Sequence, residues 1–102
     1  MTKIRYSELN HGCYFSAEGH AGYAAKGRDI VCAAVSALTT TCVNALESVA
    51  GVKAKVQVRD GEMTAALPEN AGHDAQVILA AMVQGLRDVA EQYPQHLQLI
   101  EN

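Results

Sequence analysis

The spacing of apolar residues along this chain switches repeatedly between a period of two and a period of about 3.6, and that switching limits the possible folds more than any other feature. The clearest stretch is in the middle. Val52, Ala54, Val56 and Val58 alternate with Lys53, Lys55 and Gln57, then Asp60-Gly61 follows, and Met63, Ala65 and Leu67 alternate again. Alternation places each set on one face of a strand, and Asp-Gly accepts the positive φ values of a two-residue turn, so this block predicts a hairpin with one apolar face. Helical periods lie on both sides of it. Before it, Ile30, Val31, Ala34, Val35, Leu38, Cys42, Ala45, Leu46 and Val49 form a stripe that starts after Asp29, a candidate N-cap, and stops at Gly51. After it, Pro68-Glu69-Asn70-Ala71-Gly72 is loop chemistry. Val77, Ile78, Ala81, Met82, Leu86 and Val89 then form a second stripe, roughly from Asp74 to Tyr93, which Pro94 ends.

The N-terminal residues repeat the strand theme. Ile4 and Tyr6 share one side of residues 2–7, Asn10-His11-Gly12 is a turn, and Cys13-Tyr14-Phe15-Ser16-Ala17 reads as a second strand. The order is therefore ββαββα, and a short terminal strand around Leu97–Ile100 is compatible with it. Hairpins interleaved with one-sided helices predict an α+β fold, with two helices packed on a largely antiparallel sheet. At 102 residues the chain is the size of a single domain, 1–102. Phe15 and the tyrosines at 6, 14, 23 and 93 are the only aromatics, so the core is built from Ala, Val, Leu and Ile.

Eight Lys and Arg against eleven Asp and Glu give a formal charge of −3, without the basic footprint of direct nucleic-acid binding; a cationic peptide is an easier partner. Met1-Thr2-Lys3-Ile4-Arg5-Tyr6 is polar and alternating rather than the apolar run of a signal peptide. The longest unbroken apolar runs are too short to span a bilayer, so no membrane association is expected. Three cysteines without paired spacing argue against a disulfide scaffold and for a reducing, cytoplasmic compartment.

Within this frame one pair of residues carries chemistry. Gly19-His20-Ala21-Gly22 follows the second strand, and Gly27-Arg28-Asp29-Ile30-Val31-Cys32 opens the first helix. With Asp29 as N-cap, Cys32 stands on the first helical turn, where backbone N–H groups lack helical partners and the dipole favours negative charge on sulfur. A nearby imidazolium favours it further, and the same N–H groups can donate to an oxyanion. The Gly- and Ala-rich connection reaches easily from His20 back to Cys32. Gly22, Tyr23 and Gly27 lie in that connection, whose glycines predict a loop that orders over the cleft when substrate arrives.

Blander roles compete for each residue. A cysteine in an apolar helix is most often a small core residue, the reading that fits Cys42 in mid-helix and Cys13 at a strand start. By the same logic His20 is a turn histidine, His11 and His73 are solvated, and His96 belongs to the terminal segment. Asp29 has two readings: a cap accepting from the N–H of Val31 or Cys32, its charge set against a thiolate, or a third group that orients His20. Ser36, one turn beyond Cys32, either hydrogen-bonds near the sulfur or simply packs. No short-spaced Cys/His pair completes a metal site around His20 and Cys32, no phosphate-binding glycine loop is present, and no cofactor is expected.

Taken together, Gly19-His20-Ala21 and Gly27-x-Asp29-Ile30-Val31-Cys32-Ala33-Ala34-x-Ser36-Ala37 resemble the signature of the ribosomal-processing cysteine protease family of small bacterial proteins. Element order, length and the acidic loop before the last helix extend the likeness loosely over most of the chain. The resemblance implies a cytoplasmic, homodimeric cysteine endopeptidase that removes a short N-terminal extension from a large-subunit ribosomal protein. It assigns Cys32 as nucleophile, His20 as general base and acid, and the loop between them as a substrate-gated lid. Substrates of such enzymes are cut after a pair of phenylalanines followed by a basic stretch, which suits an acidic domain with an apolar cleft. Tyr23-Ala24-Ala25-Lys26 lacks the acidic residue that relatives often carry there, a departure that bears on substrate contact rather than on chemistry. The competing expectation is a non-catalytic module that holds a ribosomal protein tail during assembly, with Cys32 merely part of the helix. A thiol hydrolase of small esters or amides is a third.

Overall fold

The computed structural model describes residues 1–9, 12–25 and 27–101, so the expected turn at Asn10-His11 and Lys26 of the loop lie outside the described residues. The elements follow as β1 (Thr2–Leu9), β2 (Gly12–Glu18), α1 (Ile30–Ser48), β3 (Lys55–Arg59), β4 (Glu62–Leu67), α2 (His73–Gln92) and β5 (Leu97–Glu101). This is the expected α+β arrangement, with the terminal strand formed. The sheet runs β3-β4-β2-β1-β5, antiparallel throughout except for β5 on β1. The pairing explains where the helices go. Each helix joins two strands that run parallel but are not neighbours, β2-α1-β3 and β4-α2-β5. The two crossovers run in opposite directions along the sheet, so the same right-handed rule puts both helices on one face.

On that face Ile4, Phe15, Ala65 and Leu97 are at most 1 % exposed, and one core cluster joins them to Val31, Val35 and Leu46 of α1 and Leu79, Met82 and Leu86 of α2. Phe15 sits mid-sheet, in register with Tyr6 on one side and Ala65 on the other. The opposite face presents Lys3, Arg5, Tyr14, Lys55 and Gln57 to solvent, as a period of two requires.

Five expectations change. The alternation at 52–58 is only partly strand: β3 starts at Lys55, and Val52 and Ala54 pack against the core from the lead-in. Val58 points toward the helical face yet stays 70 % exposed, because β3 is the sheet edge and overhangs the helices. In α2 the buried residues are Ala75, Leu79, Met82, Val83 and Leu86, while Val77 and Ala81 face outward. An alanine-rich helix offers neighbouring stripes of similar apolar content, and packing selects the one with Leu79 and Val83. In α1, Ile30 and Val49 cap the ends of the expected stripe and stay 52 % and 72 % exposed. Finally, α1 is 19 residues and by length and composition alone is long and apolar enough to cross a membrane. Counting unbroken apolar runs missed this, since Ser36, Thr39, Thr40 and Thr41 interrupt the runs while costing little hydropathy. Here α1 has the contacts of a core helix: Val31, Val35, Thr39, Cys42 and Leu46 are buried, and the Thr39 hydroxyl donates to the Val35 carbonyl at 2.8 Å.

Candidate active site

Asp29 is the N-cap of α1, with an extended backbone. Its Oδ1 accepts from the Cys32 N–H at 2.9 Å, and its Oδ2 accepts from the N–H groups of Tyr23 at 3.0 Å and Ala24 at 3.3 Å. The carboxyl is held below its ordinary value, chiefly by the Cys32 N–H; burial opposes this, and the Ala24 and Tyr23 N–H groups and the Cys32 thiol reinforce it. None of the three backbone donors belongs to His20, so the contacts are those of the capping reading. The N–H of Cys32 is already committed, so an oxyanion at this helix start has to draw on the other first-turn donors.

Cys32 is half-buried, and its Sγ accepts from the Ala21 N–H at 3.3 Å. Ala21 is 2 % exposed, and its carbonyl accepts from Nδ1 of His96 at 3.0 Å. The Tyr23 ring stands edge-on to Tyr93 and to His96, with centroids 5.5 Å and 5.4 Å away. The connection between the catalytic candidates is therefore tied down at Ala21, Tyr23, Ala24 and Asp29, although of its described residues only Ala21 and Asp29 are buried.

His20 is exposed, and among the described residues no hydrogen bond joins it to Cys32. Its Nε2 lies over the β3–β4 turn, 3.5 Å from where a Cβ on Gly61 would sit. Gly19 sets up this approach. Its N–H donates to the Gly61 carbonyl at 2.8 Å, its φ is +88°, and a Cβ there would come within 2.7 Å of the Met1 carbonyl oxygen.

His20, Cys32 and Ser36 each line both of two adjoining hollows and so stand where these meet. One hollow, about 330 Å³, lies between α1 and the β3–β4 hairpin, with Val35, Val58 and Met63 on its walls beside Arg59 and Glu62. The other, about 560 Å³, lies beneath the loop and is lined by Gly22, Ala24, Gly27, Ile30 and Ala33. Ser36 thus joins Cys32 at the junction, without a hydroxyl bond to the sulfur among the described residues. Val58, Met63 and His96 went unnoticed in the sequence: hairpin alternation makes the first two look like core, and His96 reaches Ala21 across 75 positions with no motif to announce it.

Cys13 and Cys42 belong to the core, and burial, with a smaller push from Cys13, raises the Cys42 thiol to about 11. His73 is the first residue of α2 and is exposed. Among the described residues no group of three or more His, Cys, Asp or Glu is placed to hold a metal ion.

The family model described as cysteine protease Prp matches residues 1–98, which span the His20 loop, the start of α1 and the hairpin. The chain belongs to the Prp cysteine protease family. The ribosomal processing cysteine protease Prp of Bacillus subtilis (strain 168) is 31 % identical to it over 94 residues, 86 % of this chain and 84 % of that protein. Its counterpart in Staphylococcus aureus (strain Mu50) is 30 % identical over 84 residues, 80 % of this chain and 79 % of that protein. Among solved structures, the essential ribosomal processing protease Prp from S. aureus in complex with a covalently linked product peptide matches with a TM-score of 0.90 at 25 % identity, over 100 % of both chains. The α+β architecture built above is thus the Prp fold.

Proposed function

We propose that this chain is a cysteine endopeptidase that removes an N-terminal extension from a large-subunit ribosomal protein, with Cys32 as nucleophile and His20 as general base and acid. In this reading it works in the cytoplasm, as a homodimer and without a cofactor. The observation that carries it is the placement of Cys32 on the first turn of a capped helix, at the junction of two hollows that His20 also lines. A relative whose structure holds a covalently linked product peptide supports a peptide as the substrate.

An extended peptide laid along both hollows brings one carbonyl to their junction. Sγ of Cys32 bonds to the carbonyl carbon, the amide C–N bond breaks, and His20 gives a proton to the departing amine. Water then attacks the thioester while His20 takes its proton, and the acid product leaves as the sulfur is released. His20 lies over the hairpin turn, so it has to turn toward Sγ as peptide fills the cleft, with Gly22, Tyr23 and Gly27 of the loop closing behind it. The net charge of −3 favours a substrate with a basic stretch.

The test is the mass of a synthetic extended ribosomal-protein tail after incubation with wild type and with Cys32→Ala. Two fragments with the wild type and an intact tail with the variant are expected. A tail left intact by both, while the wild type still binds it, converts the reading to a non-catalytic tail-binding module.

A further inference from the structure

We infer that His96 is a positioning residue for the nucleophile: through the Ala21 carbonyl it holds the Ala21 N–H against Cys32 Sγ. This rests on the reading of Cys32 as nucleophile. Ala21 is gripped from two sides, its N–H donating to sulfur at 3.3 Å and its carbonyl accepting from Nδ1 of His96 at 3.0 Å. A carbonyl oxygen only accepts, so Nδ1 carries the proton, whether the ring is neutral or charged.

Ala21 needs an anchor from outside its own loop. It is preceded by Gly19 and His20 and followed by Gly22, and both glycines sit at positive φ, so the local backbone does little to hold the Ala21 N–H on target. Asp29 restrains Tyr23 and Ala24 but not Ala21. His96, by contrast, projects from a fixed turn: its N–H donates to the Tyr93 carbonyl at 2.9 Å, and its carbonyl accepts from the Thr2 N–H at 3.0 Å. Its ring also meets the edge of Tyr23, so one side chain restrains two residues of the loop. A donor aimed at Sγ stabilises the negative charge the sulfur carries before attack and regains when the thioester breaks. The C-terminal turn between α2 and β5 is in this way built into the active site, although it contributes no atom to the cleft.

Two variants separate the hydrogen bond from the packing. His96→Phe keeps a ring for Tyr23 and has no donor, whereas His96→Asn places an amide N–H near the position of Nδ1. On the extended tail, His96→Phe is expected to lower kcat about tenfold with KM changed less than about twofold, and His96→Asn to recover kcat to within about threefold of wild type. Iodoacetamide labelling of Cys32, followed by peptide mass mapping, should slow in His96→Phe and recover in His96→Asn. That readout needs no peptidase turnover, so it decides the role of His96 even if the tail is never cut. Wild-type labelling in His96→Phe overturns the proposal, as does an Asn variant as slow as the Phe variant or a loss that tracks Tm alone.

Discussion

Cys32 and Cys42 are the same residue type on the same helix, yet one is a candidate nucleophile and the other a filler. Cys32 is on the first turn, half-buried, with a backbone donor at its sulfur and a hollow on either side. Cys42 is 3 % exposed, and burial keeps its thiol protonated to about pH 11. Neither difference comes from the side chain. A helix has unpaired N–H groups only at its terminus, so a thiol ten positions further along has no such donors, and although Cys42 borders a shallow hollow between α1 and α2 its own surface is covered. Reactivity here is a property of position along α1.

The contrast breaks most readily with a pair of alanine variants. Cys32→Ala should lower tail cleavage at least about a thousandfold and leave Tm within a few degrees, since little core is removed. Cys42→Ala should keep cleavage and instead lose about 1 kcal/mol, read as a shift in Tm. That variant should also flatten the alkaline limb of the wild type's stability. An unfolded Cys42 ionises at 9.0 and the folded one at about 11, so its stabilising contribution is whole below 9.0 and disappears as pH climbs through that window. A Cys42→Ala protein as pH-sensitive as the wild type between those values would show that another group governs it.

A smaller effect sharpens the same contrast through labelling. In the folded wild type, iodoacetamide should modify Cys32 at least about a hundredfold faster than Cys13 or Cys42, and the three should converge in denaturant. Equal rates in the native state would remove the distinction between the helix end and its middle. The smallest predicted change concerns the cap. Asp29→Asn should lower Tm by only a few degrees near neutral pH, because asparagine also caps. The folded carboxyl of Asp29 lies below its ordinary 3.8, so its charge stabilises the fold above 3.8, and the gap between wild type and Asp29→Asn should close as pH falls through the lower folded value. A gap that persists at more acid pH would mean that the cap works without the charge.

Much of the fold was legible because its signals are local. Asp29 before an apolar stripe marked the start of α1, and Asp60-Gly61 between two alternating runs marked the β3–β4 turn. Both depend on backbone preferences that the neighbouring residues set. The misreadings came where several local choices were nearly equal. The stripe of α2 could be drawn through Val77 or through Leu79, and only contact with the sheet separates them. The exposure of Val58 depends on β3 being the edge, which no run of residues encodes.

The candidate site divides in the same way. Sequence alone determined that a cysteine would stand on the first turn of a helix, that an aspartate would precede it in capping position, and that a histidine lay within reach across a glycine-bearing loop. Each follows from spacing shorter than one helix or one turn. Tertiary structure alone decided what surrounds that cysteine: the hollow walled by Val58 and Met63, the rest of His20 over Gly61, and the hold of His96 on Ala21. Those contacts join the hairpin, the loop and the C-terminal turn across the sheet. Their partners are set by which strands pair and on which face the helices lie, and that is a property of the whole packed chain.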